Sequence, residues 1–286
     1  MTYQVSVTRC ETYDLNTVRS AVTSSLRPLG GMGRFTGRGE RVLVKPNLLS
    51  SRPPEAAVTT HPAVVQAVVE EVQGAGAEAV IGDSPGGRNL GSSYERLLRR
   101  TGMMGVVAAT GCEWVSFDDA VAEVPAPGAR SFRRFTVARA VLDADRVIVV
   151  PKLKTHQFTY YTGAVKVLFG YIPGLLKAEY HLHTGNNAKT FADLLLDLHS
   201  ALPPALAIMD AVVGMEGQGP SSGNPRHSGL VLARPSCTAL DYVACSVIGL
   251  DPREVPTVRK AGERGVGPRD PGEGEILGEA IGDVRI

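Results

Sequence analysis

The sequence has few cysteines, few aromatic residues and no long apolar run. Of its 286 residues, four are cysteines, one is tryptophan and 6% are aromatic. Its longest apolar stretches, such as Val147–Val150 and Ala205–Met209, are far shorter than the ~20 residues that cross a bilayer. The segment Met1–Arg9 alternates like a strand and lacks the apolar core of a signal peptide. The sequence therefore predicts a cytoplasmic protein without a membrane span.

The four cysteines are scattered along the chain and form no C-x-x-C pair. Cys10, Cys112, Cys237 and Cys245 therefore provide neither a zinc knuckle nor the ligand pattern of a four-cysteine iron–sulfur cluster, and such a cluster is not expected. Cys237 and Cys245 fall in an apolar helical stretch, where a cysteine behaves as a small buried hydrophobe. We expect free thiols in a reducing compartment.

No charge of one sign dominates the sequence. Lysine and arginine total 30, aspartate and glutamate total 29, and 43% of the residues are hydrophobic. This composition is typical of a globular protein with a large core, and it lacks the basic excess of nucleic-acid-binding proteins. We therefore expect neither a nucleic acid nor a membrane as a partner.

The order of apolar segments predicts an α/β fold. Arg41–Lys45 and Ala79–Ile81 are strand-like, and His61–Gln73 between them has helical periodicity, which indicates a right-handed βαβ unit. We expect a mostly parallel sheet with helices on both faces. The length allows either one domain over 1–286 or two interleaved lobes. Further strands are predicted at Met1–Arg9, Glu113–Phe117, Phe132–Val137, Arg146–Val150, Ala205–Met209, Leu230–Ala233 and near Ile281–Ile286. Further helices are predicted at Tyr94–Arg100, Ala164–Phe169, Lys189–Ser200 and Ala239–Ile248.

Two segments are predicted to lack regular structure. Residues 214–223 are rich in glycine, proline and serine, which favours a loop. Residues 260–280 are rich in glycine and charge, and we expect a flexible excursion there.

Polar motifs follow four of the predicted strands directly. They are Lys45-Pro46-Asn47, Gly82–Pro85, Pro151–His156 and Asp210. Ligands of open parallel sheets bind outside the carboxyl ends of the strands, so these motifs should converge on one crevice.

The lysines of these motifs predict an anionic ligand. Lys45, Lys152, Lys154 and Lys166 would bring several ammonium groups together, at a cost that an anion or the carboxylates of Asp83, Asp210 and Glu216 would offset. Crowding also lowers the pKa of a lysine and makes it a base near neutral pH. Lys152 and Lys154 alternate along an extended segment, which points both to one side and Leu153 to the core. Solvated loop charges are the alternative.

Two further motifs allow a structural and a functional interpretation. Thr59, Thr60 and His61 precede Pro62, a pattern typical of a helix start capped by threonine, and the same helix end presents N–H groups to an anion. His181 and His183 form an H-x-H pair that holds a metal only if a third ligand joins them. Otherwise they belong to a loop or an edge strand.

The glycine-rich loop is not a phosphate-binding motif of a known kind. It lacks the G-K-[ST] ending of a P-loop and the helix after a G-x-G-x-x-G pattern. Gly217 and Gly219 either pack tightly or let the backbone approach a ligand next to Glu216.

Taken in order, the motifs resemble those of the domain of unknown function 362 family over about 42–252. The matching segments are Val42–Leu48, Ala57–Pro62, Gly82–Pro85, Pro151–His156, Leu168–Gly170 and Met209–Gly217 with Gly219–Pro220. The resemblance implies an α/β domain, and many members carry a four-cysteine iron–sulfur segment that this chain lacks. Val167 replaces the asparagine that usually follows the lysine at Lys166.

The arrangement is more distantly similar to the nickel-pincer lactate racemase family, which sets lysines and histidines around a phosphorylated cofactor. That resemblance implies Lys154 or Lys166 as the cofactor-facing lysine and His156 as a metal ligand.

These patterns lead to three hypotheses. The first is an isomerase- or oxidoreductase-like enzyme for a small carboxylate or phosphate, with proton or hydride transfer. Its catalytic residues are Lys154, with His156 or Lys166 as acid or base and Asp83 or Asp210 orienting the base. The second is a metal- or iron–sulfur-associated redox protein, in which His61, His156, His181 and His183 with nearby carboxylates hold a divalent metal. The third is a non-catalytic anion-binding protein. Under the first, the substrate contacts come from Lys45, Asn47, Thr59, Thr60, His61, Ser84, Lys152, Lys154, Glu216, Gly217 and Gly219.

Overall fold

The computed structural model describes residues 3–85, 92–185 and 187–286. Its strands are β1 (Tyr3–Arg9), β2 (Arg41–Pro46), β3 (Glu78–Asp83), β4 (Glu113–Ser116), β5 (Val121–Pro125), β6 (Arg134–Ala138), β7 (Arg146–Val150), β8 (Lys152–His156), β9 (Tyr160–Thr162), β10 (Leu206–Glu216), β11 (Asn224–Arg234) and β12 (Gly274–Gly278). Met1 and Thr2, which begin the first predicted strand, lie outside the described residues.

The helices are α1 (Leu15–Leu26), α2 (Pro62–Gly74), α3 (Ser92–Arg100), α4 (Met103–Thr110), α5 (Arg139–Leu142), α6 (Ala164–Val167), α7 (Leu176–His183), α8 (Ala188–Ala201), α9 (Cys237–Val247), α10 (Pro256–Glu263) and α11 (Ile281–Val284). A 3-10 helix, Leu168–Tyr171, continues directly from α6. In the part of the chain that the structure describes, no helix is long and apolar enough to span a membrane.

A large, mostly parallel sheet organises the fold. Its order is β12-β1-β11-β10-β7-β2-β3-β4, and β8 joins it through β10 and β9 through β8. The run from β10 through β7, β2 and β3 to β4 is parallel, whereas β11 is antiparallel to both β1 and β10. The predicted β2-α2-β3 unit is parallel, as expected. The α/β fold class is therefore confirmed.

Two apolar layers cover the sheet. Val18 of α1 and Val64 of α2 pack in one cluster, whereas Leu194 of α8 and Leu240 of α9 pack in the other. Successive residues of a strand point to opposite faces, and Val147–Val150 accordingly divides between the two clusters. The prediction of helices on both faces is thus confirmed.

The prediction of a last strand near Ile281–Ile286 was wrong. The strand is β12, which pairs in parallel with β1, and residues 281–284 form the short helix α11. Ile276 contacts one apolar layer and Leu277 the other, because successive side chains of a strand point to opposite faces of the sheet. The predicted excursion at 260–280 therefore contains a paired strand, and its mobility in solution stays a prediction.

Two other segments differ from the sequence prediction, whereas the extended segment expected at Lys152 and Lys154 forms strand β8. The glycine-rich segment is loop only between the end of β10 and the start of β11, because β10 runs on through Glu216. The strand predicted at Phe132–Val137 is β6, which pairs with β5 in a separate hairpin. In each case pairing with another strand determines the local structure, and local composition does not indicate such pairing.

Candidate functional site

Lys45 and Asp83 form a buried ion pair at the ends of the neighbouring strands β2 and β3. Lys45 Nζ lies 2.7 Å from Asp83 Oδ1, and at most 3% of either side chain is exposed. Asp83 also accepts hydrogen bonds from the backbone N–H groups of Leu48 (2.7 Å) and Ser84 (2.9 Å). Burial lowers the pKa of Lys45, and the charge of Asp83 opposes that shift. The pair is therefore neutralised internally.

Gly170 makes room for this ion pair. The 3-10 helix Leu168–Tyr171 passes so close that a Cβ on Gly170 would clash with the Lys45 ammonium and the Asp83 carboxylate. The short Leu-Phe-Gly motif thus places a backbone without a side chain against the pair.

Lys152 and Asp210 form a second buried ion pair on β8 and β10. Lys152 Nζ lies 2.9 Å from Asp210 Oδ2, and neither side chain is exposed. Tyr13 accepts a hydrogen bond from Lys152 (2.7 Å) and donates one to Asp210 (2.8 Å). Its ring stacks on His61 with centroids 3.6 Å apart. Tyr13 was not predicted as part of the site.

The prediction that threonine caps helix α2 was wrong. His61 is the capping residue, since its Nδ1 accepts the hydrogen bond from Ala63 N–H. Thr60 bonds instead to Val150 and Asn47, and Asp210 accepts the His61 backbone N–H. The anion at this helix end is thus the protein's own carboxylate.

A cavity of about 410 Å³ lies beside the first ion pair. Its polar lining includes two further lysines and two histidines, and we call it the lysine cavity. Seven of the predicted residues line it: Lys45, Asn47, Asp83, Ser84, His156, Lys166 and His181. The remaining predicted residues do not: Thr59, Thr60, His61, Lys152, Lys154, His183, Asp210, Glu216, Gly217 and Gly219.

Lys166 lies in the lysine cavity without a carboxylate partner among the described residues. Its ammonium group rests over the rings of Phe169 (5.2 Å) and Phe191 (5.9 Å). Burial first and the charge of Lys45 second lower its pKa to about 8. A substantial fraction of this amine is therefore neutral at physiological pH.

Lys177 is a second cation of the cavity, and the sequence analysis missed it. It lies on α7 and donates hydrogen bonds to the carbonyl groups of Ser84 and Pro85. Burial lowers its pKa to about 7. Lys177 forms no direct ion pair with a carboxylate in the described ranges, but the charge of Asp83 partly opposes the lowering of its pKa.

His156 is held as a neutral hydrogen-bond donor. Its Nδ1 accepts the backbone N–H groups of Phe158 (3.1 Å) and Thr159 (3.3 Å), which assigns the proton to Nε2. Burial, with the charges of Lys166 and Lys154, lowers the pKa of His156 to about 3. Because Nε2 carries the proton, His156 does not fit the role of metal ligand that the distant resemblance implied.

We expect His156 to remain neutral from pH 5 to pH 8. A histidine whose folded pKa is lowered to about 3 binds no proton in this range, because protonation would break both hydrogen bonds to Nδ1. Imidazole nitrogen shifts in NMR spectra should show the Nε2–H tautomer throughout. A titration of His156 with a midpoint near the usual ~6.5 would contradict this assignment.

Lys154 is fully enclosed between the two ion pairs. Its ammonium donates to the carbonyl group of Val58 (2.6 Å), and burial together with Lys166 and Lys152 holds its pKa well below the usual value. Lys154 also lines a smaller cavity of about 190 Å³, together with Glu216. Glu216 is exposed there and pairs with Arg226 at 3.0 Å.

His181 and His183 do not form a metal site together. Both lie on α7, where residues two apart point to nearly opposite sides, so His181 borders the cavity and His183 is exposed. The predicted loop or edge strand at this pair was also wrong. Across the described residues, no three histidine, cysteine, aspartate or glutamate side chains are grouped to hold a metal.

Three polar atoms at the lysine cavity are buried without a hydrogen-bond partner in the described part of the chain. They belong to the side chains of Asn47 (Oδ1), Ser84 (Oγ) and Thr162 (Oγ1). A buried polar atom without a partner costs about 1–3 kcal/mol. These atoms, next to two unpaired lysines, are suited to a ligand that has both an anionic group and further polar groups.

Comparison with known proteins agrees with the motif analysis. The family model described as Domain of unknown function (DUF362) matches residues 42–246. The chain is 37% identical over 268 residues to Thylakoid-associated protein sll1697 of Synechocystis sp., covering 94% of this chain and 81% of that protein. Because that relative is described as thylakoid-associated, the cytoplasmic location stays a prediction.

A solved structure shares the fold. The lactate racemase apoprotein from Thermoanaerobacterium thermosaccharolyticum superposes with a TM-score of 0.52 at 12% identity, covering 84% of this chain. The chain spans 57% of the length of that protein. At this identity the likeness concerns the fold alone. The matched family model and the 37% identical relative show that this chain belongs to the domain of unknown function 362 family.

Proposed function

We propose that the chain is an enzyme that binds a small carboxylate- or phosphate-bearing metabolite in the lysine cavity and transfers a proton on it. Lys166 is the base, and His156 is the hydrogen-bond donor that stabilises the negative charge formed on an oxygen of the substrate. Lys177 binds the anionic group, which in turn stabilises the charged form of its amine.

The use of lysine in this chain carries the proposal. The sequence has only seven lysines among its 30 basic residues. Lys45, Lys152 and Lys154 are buried, and Lys166 and Lys177 are partly buried at the lysine cavity. Arginine is the better residue for fixed anion binding, but it does not release its proton in proteins, whereas a buried lysine does. Lysine at these positions therefore favours proton transfer over plain binding.

The chemistry that suits these groups is removal of a proton next to a carbonyl or carboxylate. The neutral amine of Lys166 takes the proton, the C–H bond breaks, and its electron pair moves towards the carbonyl oxygen. A neutral histidine that donates through Nε2–H is suited to that oxygen, since it stabilises charge without first giving up its own proton. Return of a proton from the Lys166 ammonium group to the same face restores the C–H bond and exchanges its hydrogen with solvent.

The likeness to the lactate racemase apoprotein supports an isomerase-like step by analogy only. Its printed name describes a racemase, and racemisation at a carbon that bears hydrogen involves the loss and return of that hydrogen. One fold supports many reactions, so the residues of the cavity, and not the fold, are the basis for the proposed step. No step of the proposed reaction passes through a metal.

The proposal is tested by isotope exchange. The protein is incubated in deuterium oxide with a panel of 2-oxo, 2-hydroxy and phosphorylated acids, and deuterium incorporation is followed by NMR. We expect exchange into at least one acid, at a rate that rises as the pH increases through about 8, because deprotonation of Lys166 creates the base. If acids bind saturably but none exchanges, the chain is an anion-binding protein and the proposal is wrong.

A further inference from the structure

Helix α7 is weakly anchored to the rest of the protein. It has eight residues, and none of them is buried. Leu182 is 79% exposed. Helices shorter than about 12–15 residues are marginal on their own, so α7 depends on its contacts with other elements.

Those contacts come from side chains on one side of the helix. The ring of Tyr180 lies against Phe132 (6.0 Å) and Phe135 (5.9 Å), and its hydroxyl accepts the Thr136 N–H at 3.0 Å.

His181 and Leu176 make the other apolar contacts of α7. The ring of His181 stacks on Phe191 at 4.8 Å and meets Phe169 edge-on at 5.1 Å, and Leu176 packs against the apolar core. The opposite side of the helix, with Leu182, is exposed.

At the cavity, the polar contact of α7 is made by Lys177, whose ammonium group has no carboxylate bonded to it in the described residues. Lys177 and His181 are four residues apart, so they share the helix face that lines the cavity. Lys177 holds the carbonyl groups of Ser84 and Pro85, which carry no net charge. Lys166 lies across the same cavity, and its charge opposes that of Lys177. In this position the cations repel, and an anion bound to Lys177 would reduce the repulsion.

Two hydroxyl groups at the cavity are buried without a hydrogen-bond partner in the described segments. The hydroxyl oxygen of Ser84 is buried and has no partner in the described segments, while the carbonyl group of the same residue is held by Lys177. Thr162 likewise has a buried hydroxyl without a partner at the cavity. A ligand pairs with these atoms only if its polar groups lie within hydrogen-bond distance, and α7 carries Lys177 and His181 of the cavity lining between Gly174 and Gly185 (φ +59°).

We infer that α7 is a substrate-fastened lid, in which the anionic group of the substrate binds Lys177 and so fastens α7 over the cavity, while Lys166 on the cavity floor stays free to act as the base. The inference rests on the proposed function for the identity of the site. Its ligand is an acid with a carboxylate or phosphate group. Lys177 couples binding to closure, because its ammonium group reaches from the lid into the cavity and to the Ser84 carbonyl. If the substrate binds only the closed form of α7, binding shifts the equilibrium towards that closed form by mass action.

Hydrogen exchange of the full chain tests the inference, with oxalate and inorganic phosphate as probes. We expect either anion to slow exchange of the α7 amides at least tenfold, while the amides of α8 keep their rates. Lys177→Met should abolish this response, and His183→Ala, an exposed change on the same helix, should retain it. No protection of α7 by either anion, or equal protection in Lys177→Met, would overturn the lid.

Hydrogen exchange of α7 and deuterium incorporation into an acid test the lid and the enzyme activity separately. Deuterium incorporation into an acid without protection of α7 removes the lid and leaves the enzyme. Protection of α7 by an anion without proton exchange into any acid keeps the lid and removes the enzyme. For any acid that does exchange, Lys177→Met should raise KM more than it lowers kcat, because the lost contact is to the bound anionic group.

Discussion

Replacing Lys166 with methionine should lower the rate of proton exchange by about 10²–10⁴-fold, which is the usual contribution of a general base. Methionine keeps much of the length and apolar surface of lysine and can retain the contacts with Phe169 and Phe191. The variant should therefore fold normally. Initial rates of deuterium incorporation measure the effect, and circular dichroism with thermal unfolding verifies the fold.

Lys166→Arg is the decisive companion variant. Arginine retains the positive charge and the interaction with the two aromatic rings, but it does not release a proton. We expect it to bind anions and to remain inactive. Lys189→Met, a change at an exposed lysine of α8, should be fully active. Proton exchange by Lys166→Arg at a rate close to that of the unmodified protein would contradict the assignment of Lys166 as the base.

Replacing Asp83 with alanine should lower the free energy of unfolding by about 3–5 kcal/mol, because it leaves the ammonium group of Lys45 buried without its partner. The backbone N–H groups of Leu48 and Ser84 would lose their acceptor at the same time. Denaturant unfolding monitored by fluorescence or circular dichroism measures the change.

Two controls separate the ion pair from general effects. Removing both charges with Lys45→Met and Asp83→Leu should recover part of the loss, since apolar replacement of a buried pair is often tolerated. Asp143→Ala removes the exposed pair with Arg139 and should change the free energy of unfolding by less than about 1 kcal/mol. If Asp83→Ala changed the free energy of unfolding as little as Asp143→Ala does, the Lys45–Asp83 pair would not be buried and desolvated as described.

The central part of the fold was predictable because its elements are locally encoded. β2, α2 and β3 combine apolar periodicity with clear boundaries, and β7 is a continuous β-branched run. The chain end was not predictable in the same way. The segment that became β12 is rich in glycine and charge, and it is a strand because the edge of β1 is available for pairing. Such long-range pairing leaves little local signal.

The residue types of the site were predictable, but their pairing was not. Lys45, Asp83, Lys152 and Asp210 all follow from the rule that ligands bind at strand ends. The strand order places β2 beside β3 and β8 beside β10, so each lysine meets an aspartate on a neighbouring strand. Lys45 and Lys152 were expected to contact substrate, and Asp83 and Asp210 to orient the base or offset the lysine charges. The four residues instead form two internal ion pairs. That order depends on the whole sheet and is not contained in any one motif.

Lys177 was missed because its helix has no recognisable motif. The H-x-H pair suggested an extended or loop segment, although a helix places Lys177 and His181, which are four residues apart, on one face. That spacing was the available signal. The buried atoms without partners at Asn47, Ser84 and Thr162 become visible only when the side chains of distant segments are assembled.

The central claim is that Lys166 is a base near neutral pH, and competitive amine labelling tests it without knowledge of the substrate. The protein is treated briefly with formaldehyde and cyanoborohydride across a pH series, and the modification of each lysine is quantified by mass spectrometry. We predict that labelling of Lys166 has a midpoint near pH 8, that of Lys177 a midpoint near pH 7, and that oxalate shifts both midpoints upwards. A midpoint for Lys166 near the ~10.4 of an ordinary lysine, unchanged by oxalate, would contradict the account.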